Sequence, residues 1–175
     1  MEKVIERINV NSEENLREIL NNYSQLICKV ERDKKTDICL KEIKDYSNSN
    51  FFEANNPKLS QAGRLWILVG IKESETIPLQ VGQSIDILSE ISVDINKAPY
   101  QEYLKQYDEI CFYEISIENY LKDKAPENIQ EIIYEMCKEY FAEALVAAST
   151  KALDWNFYKS GIDKRSLFYI LDNIL

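Results

Sequence analysis

The apolar positions of this chain fall into short blocks whose spacing changes from one block to the next. Ser12, followed by Glu13 and Glu14 and then by Leu16, Ile19, Leu20 and Tyr23, combines a side-chain cap, acids in the first turn and helical spacing. That pattern predicts a helix over about 12–23. The stretches Gln25 to Glu31 and Asp37 to Ile43 are short and apolar with a charged turn between them. They fit a hairpin, with a helix over the second left open. Residues 44–62 are rich in Asn and Ser, carry Pro57 and read as a long connection. Leu65 to Val69 and Ile77 to Val81, separated by a polar loop around Lys72 to Thr76, predict an antiparallel hairpin. Ser84 and Asp86 can cap a helix presenting Ile87, Leu88 and Ile91, and Pro99 opens a short helix through Tyr103.

Asp108 to Ile117 is the clearest strand, its apolar run too continuous for a sheet edge. A helical turn follows at Glu118 to Leu121. From Pro126 to Leu153 no Gly or Pro interrupts the chain, and Ile129, Ile133, Met136, Tyr140 and Ala144 keep a helical rhythm, so one long helix is expected. A last helix is expected from Lys164 to Asn173. The fold class is therefore α+β, with a small three-stranded antiparallel sheet, a hairpin plus a third strand, flanked by helices. The connection at 44–62 divides an N-terminal helix/strand extension (1–62), too poor in apolar positions to stand alone and expected to pack on the rest, from the main domain with its C-terminal helix (63–175).

Composition narrows the chemistry. The chain has 175 residues, long enough for one core that hides roughly 70% of the surface of the unfolded chain. It contains no histidine, which removes Ser-His, Cys-His and zinc-histidine chemistry. Its four cysteines, Cys28, Cys39, Cys111 and Cys137, are scattered among apolar residues without a CxxC pair and read as buried thiols. The N-terminus shows no secretory signal and no segment reads as a membrane span, so a cytoplasmic location and no membrane partner are expected. The formal charge of −9 disfavours nucleic acid as a partner, because phosphate binding rests on clustered cations. The short basic runs Arg32, Lys34, Lys35 and Lys159, Lys164, Arg165 read as solvated faces.

Particular residues say more. Leu65-Trp66-Ile67-Leu68-Val69-Gly70, then Leu79-Gln80-Val81-Gly82-Gln83-Ser84, then a helix beginning Ile85-Asp86-Ile87-Leu88-Ser89-Glu90-Ile91, resemble the hairpin and first helix of the GIY-YIG nuclease family. That family shows a Gly-Ile-Tyr strand, a Tyr-Ile-Gly strand running into Gly-Gln-Ser or Gly-Gln-Thr, and a helix bearing a catalytic Arg. Downstream, Glu143 followed thirteen residues later by Asn156 matches the family's catalytic Glu and closing Asn. The resemblance spans 63–158 and implies a GIY-YIG-like fold for the main domain.

The resemblance also implies lost chemistry. In the family a Tyr hydroxyl helps activate the nucleophile, an Arg balances phosphate charge and a Glu holds a divalent cation, as metal-assisted phosphodiester hydrolysis requires. Here Trp66, or Leu65 in a register shifted by one, fills the first Tyr position, Gln80 the second, and Glu90 stands where the Arg would be. Only Glu143 is left as a catalytic or metal-binding candidate. Gly82, Gln83, Ser84 and Asn156 read as a turn glycine, strand-end and cap residues and a loop amide.

The leading reading is a degenerate, non-catalytic GIY-YIG-like domain that binds a protein partner or regulates one, with no cofactor. Eleven tyrosines lean the same way, Tyr being enriched at interfaces. Two alternatives stand beside it. One is a diverged phosphodiesterase using magnesium on Glu143 with Lys72, Tyr100 or Tyr103. The other is an acidic mimic of nucleic acid that occupies a basic site on a nucleic-acid enzyme.

Overall fold

A computed structural model of the chain describes residues 12–32, 37–56, 63–124, 138–150, 152 and 154–155. The expected last helix, Asn156, Cys137 and the first part of the long helix lie outside them. In chain order the elements are α1 (Ser12–Glu18), which runs into a π-helical turn (Ile19–Tyr23), β1 (Ser24–Glu31), α2 (Asp37–Tyr46) and α3 (Asn50–Ala54). They continue with β2 (Arg64–Lys72), β3 (Glu75–Ser84), α4 (Ile87–Asp94), α5 (Ala98–Gln106), β4 (Glu109–Ile115), α6 (Ile117–Lys124), α7 (Lys138–Thr150) and β5 (Asp154–Trp155).

The α+β class holds, but the sheet is larger than the three strands expected. Four antiparallel strands lie in the order β1-β4-β2-β3, and the two-residue β5 adds a parallel pairing on β3 at Gln80 and Val81. The extra strand is β1, which pairs with β4 from Ser24↔Ile115 to Glu31↔Glu109. Its expected hairpin partner is instead α2, because Cys39, Ile43 and Tyr46 recur at helical spacing and all three are buried. β4 thus lies between β1 and β2, as its continuous apolar run implied.

Helices cover both faces, which is why β2 is buried without interruption from Arg64 to Gly70. On one face Leu65, Ile67, Val81, Cys111 and Ile115 meet Leu16 and Ile19 of the first helical segment, Tyr120 and Leu121 of α6, and Ala142 and Val146 of α7. On the other, Trp66, Leu68, Leu79, Phe112 and Ile110 meet α2, α4 and α5. A β-bulge between Leu26 and Cys28 puts Ile27 and Cys28 into the same core.

The second face also buries an ion pair. Arg64 Nη1 lies 2.7 Å from Glu114 Oε1, their side chains 5% and 1% exposed. The guanidinium donates to Phe52 O and lies 3.8 Å from the centroid of the Phe52 ring, while Tyr46 Oη donates to Glu114 Oε2 at 2.6 Å. Residues of α2 and α3 are thereby tied to β2 and β4. Burial pushes the Glu114 carboxyl above its usual range, against the opposing pull of Tyr46 and Arg64.

Candidate functional site

Alternation along β2 and β3 decides which residues of the motif share a face. Trp66 pairs with Gly82 across the hairpin, and its indole packs so closely over the glycine that an added Cβ would meet Trp66 Cζ2 at 2.6 Å. The ring also approaches Phe112, with centroids 6.0 Å apart. Trp66 is 3% exposed, and its indole N–H meets no acceptor among the described residues. Trp66 is therefore a core residue.

Gln80 is committed as well. Its Oε1 accepts from Tyr100 Oη at 3.0 Å, and the same hydroxyl lies 3.3 Å from Asp94 Oδ2. Asp94, at the end of α4, is ion-paired with Lys97. Burial, then the Asp94 charge, pushes the Tyr100 hydroxyl well above its ordinary range, so it is a donor and not a base. Glu90 is half-buried on α4, and its charge adds to the raising of Tyr100 and Lys97.

Glu143 sits on the opposite side of the sheet, on α7, and is 5% exposed. Gln83 Nε2 donates to its Oε2 at 2.9 Å. Residue 63 is a glycine packed against the same amide, and a Cβ there would meet Gln83 Oε1 at 2.7 Å, so the amide would have to shift. Ser84 Oγ accepts from the N–H of Asp86, whose carboxylate in turn accepts from the N–H of Ser89 and caps α4.

The motif residues thus divide. Gly82, Trp66 and Gln80 face α4 and α5, and Gln83 and Glu143 meet on the α7 face. The set of Glu143 with Lys72, Tyr100 or Tyr103 is not assembled: Tyr100 and Tyr103 pack across the sheet from α7, and Lys72 is exposed at the hairpin end opposite Glu75. A hard divalent cation takes several oxygen ligands. Among the described residues no three His, Cys, Asp or Glu side chains gather to hold one.

Sequence reasoning missed two polar centres among the described residues, Arg64–Glu114–Tyr46 and Asp94–Lys97–Tyr100–Gln80. One signal was available: Glu114 interrupts an otherwise apolar strand. No helix among the described residues is long and apolar enough to cross a membrane. Compared with known proteins, the chain matches no family model, no curated protein and no solved structure.

Proposed function

We propose that this chain is a non-catalytic GIY-YIG-like domain that acts in the cytoplasm as a protein-binding or regulatory module. One observation carries the reading: Trp66, Gln80 and Glu143, which stand where the resemblance would put catalytic side chains, are each spent on internal packing or hydrogen bonding. Two of them face one side of the sheet and the third the other. Ile85, just ahead of α4, and Val93, near its end, stand 66% and 56% exposed and are the apolar side chains at which a partner is sought.

The test has two arms. Labelled single- and double-stranded DNA and RNA are incubated with magnesium or manganese and either wild type or Glu143→Gln. Neither protein is expected to cleave; cleavage by the wild type that disappears in the variant would overturn the non-catalytic reading. Affinity capture is then run with wild type and with Val93→Glu. A partner retained by the first and lost by the second supports binding through α4.

A further inference from the structure

The outer edge of β3 is only partly taken. β5 pairs with it in parallel at Gln80 and Val81, and the half of β3 nearer the turn has no strand beside it among the described residues. Register decides what that half offers. The Asp108 N–H donates to the Ile71 carbonyl, on the β4 side, so the pairing of Ile71 with Thr76 is one of the non-hydrogen-bonded ones of the ladder. The N–H and C=O of Thr76 therefore point away from β2. Pro78, two residues on, points the same way, where it has no N–H to lose. A groove of about 670 Å³ runs along this edge, between residues 74–77 and the first helical segment. Leu16 and Leu20 line its helical wall, and its charged groups are Glu13, Arg17 and Glu75.

We propose that this groove docks an extended, positively charged peptide segment of a partner protein, which adds to the sheet as a strand beside Thr76. The proposal rests on the protein-binding reading above and gives it a surface separate from α4. A groove walled by a strand edge on one side and a helix on the other fits an extended chain, whose backbone bonds to the edge while alternate side chains are read by the walls. β5 shows that this edge already accepts a strand further along. Alternation also dictates the pattern of the peptide. Thr76 shares a face with Ile71, which packs on the same core as Leu16, so the peptide residue opposite Thr76 turns its side chain toward the apolar wall. Its neighbours turn theirs toward the side of Glu75. Charge sets the sign: Glu13 is paired with Arg17 at 3.0 Å, the lining holds one carboxylate more than it holds guanidinium groups, and the chain as a whole carries −9. An apolar residue flanked by Lys or Arg is what this surface recognises.

The test selects a library of random short peptides on the wild-type protein, then resynthesises the enriched ones and measures their affinity by fluorescence anisotropy. Peptides with an apolar residue flanked by Lys or Arg are expected. They should bind roughly tenfold less tightly to Thr76→Pro, which removes the outward donor, as the loss of one hydrogen bond implies. Glu75→Lys should weaken them as well, and Val93→Glu should leave them unchanged. No enrichment overturns the proposal, as do enriched peptides indifferent to either Thr76→Pro or Glu75→Lys. Peptides lost only with Val93→Glu also overturn it, while keeping the protein-binding reading and placing it on α4. Twice the monomer mass by light scattering, reduced by Thr76→Pro, makes a second copy the occupant and overturns it too. If Thr76→Pro does not fold, hydrogen exchange on the wild type decides. The Thr76 amide is expected to exchange at the rate of a solvent-exposed amide in the protein alone and to slow when an enriched peptide is saturating; an amide already slow, or one the peptide leaves unchanged, overturns the docking site.

Discussion

Gln83 links three parts of the chain through one amide: its Nε2 donates to Glu143 on α7, and its Oε1 lies where a side chain on residue 63 would begin. Removing the donor with Gln83→Ala is expected to cost about 1–3 kcal/mol, the range for leaving a buried polar group short of a partner. Gly63→Ala should displace the same amide and cost a similar amount. Because both act on one contact, the double variant should lose clearly less than the sum. Urea denaturation of the four proteins measures this, and strict additivity would refute the shared contact.

Gly82 and Trp66 make a second coupled pair. A methyl at residue 82 would fall 2.6 Å from Trp66 Cζ2 and 2.9 Å from Cε2, in a core with little room to shift. Gly82→Ala should therefore destabilise by about 1–3 kcal/mol, as overpacking does. In a Trp66→Phe background the smaller ring should relieve most of that penalty. Equal costs in both backgrounds would show that the glycine serves something other than the indole.

Within the Arg64–Glu114 pair, removing one partner should be worse than removing both. Glu114→Ala strands a guanidinium whose side chain is 5% exposed and is expected to cost about 3–5 kcal/mol. Arg64→Met combined with Glu114→Leu replaces the pair by apolar volume and should lose less than Glu114→Ala alone. Thermal melts of both, followed by circular dichroism, test the ordering.

How much of this was legible in the sequence depended on distance along the chain. The hairpin of β2 and β3, the Asp86 cap and the interior position of β4 follow from local patterns, and all three are present. The partner of β1 was not legible, because it lies beyond the intervening hairpin and four helices and because the short apolar spacing of α2 also fitted a strand. Nor was the burial of Arg64: a charge at the head of a strand reads as solvated until Glu114 pairs with it and Phe52 closes over it. The motif gave the order of Trp66, Gln80 and Glu143. It could not show that the sheet separates the first two from the third.

Alkaline pH should unfold the protein early. Burial raises the Cys111 thiol from 9.0 to about 12. The hydroxyls of Tyr46, Tyr100 and Tyr120 are also held well above 10.0, with burial the largest cause in each. Each group stays protonated in the folded chain where the unfolded chain has already lost its proton. Their contribution is therefore intact below pH 9, and stability falls as pH rises beyond it, by about 1.4 kcal/mol per pH unit for each group in its window. Denaturant midpoints measured from pH 8 to pH 11 should drop with increasing steepness. A flat profile would mean that these groups ionise freely in the folded state.

The pairing of β1 with β4 also sets the order in which the protein can be made. Ser24 finds its place only beside Ile115, and Glu31 only beside Glu109, so the first strand leaves the ribosome long before its neighbour exists. The β2–β3 hairpin can close on its own short turn, but β4 must arrive before β1 can join the sheet, and closing so large a loop is slow. During that interval Ile27, Cys28 and Val30, which share their core with Ile110 and Phe112 of β4, have no finished core to enter.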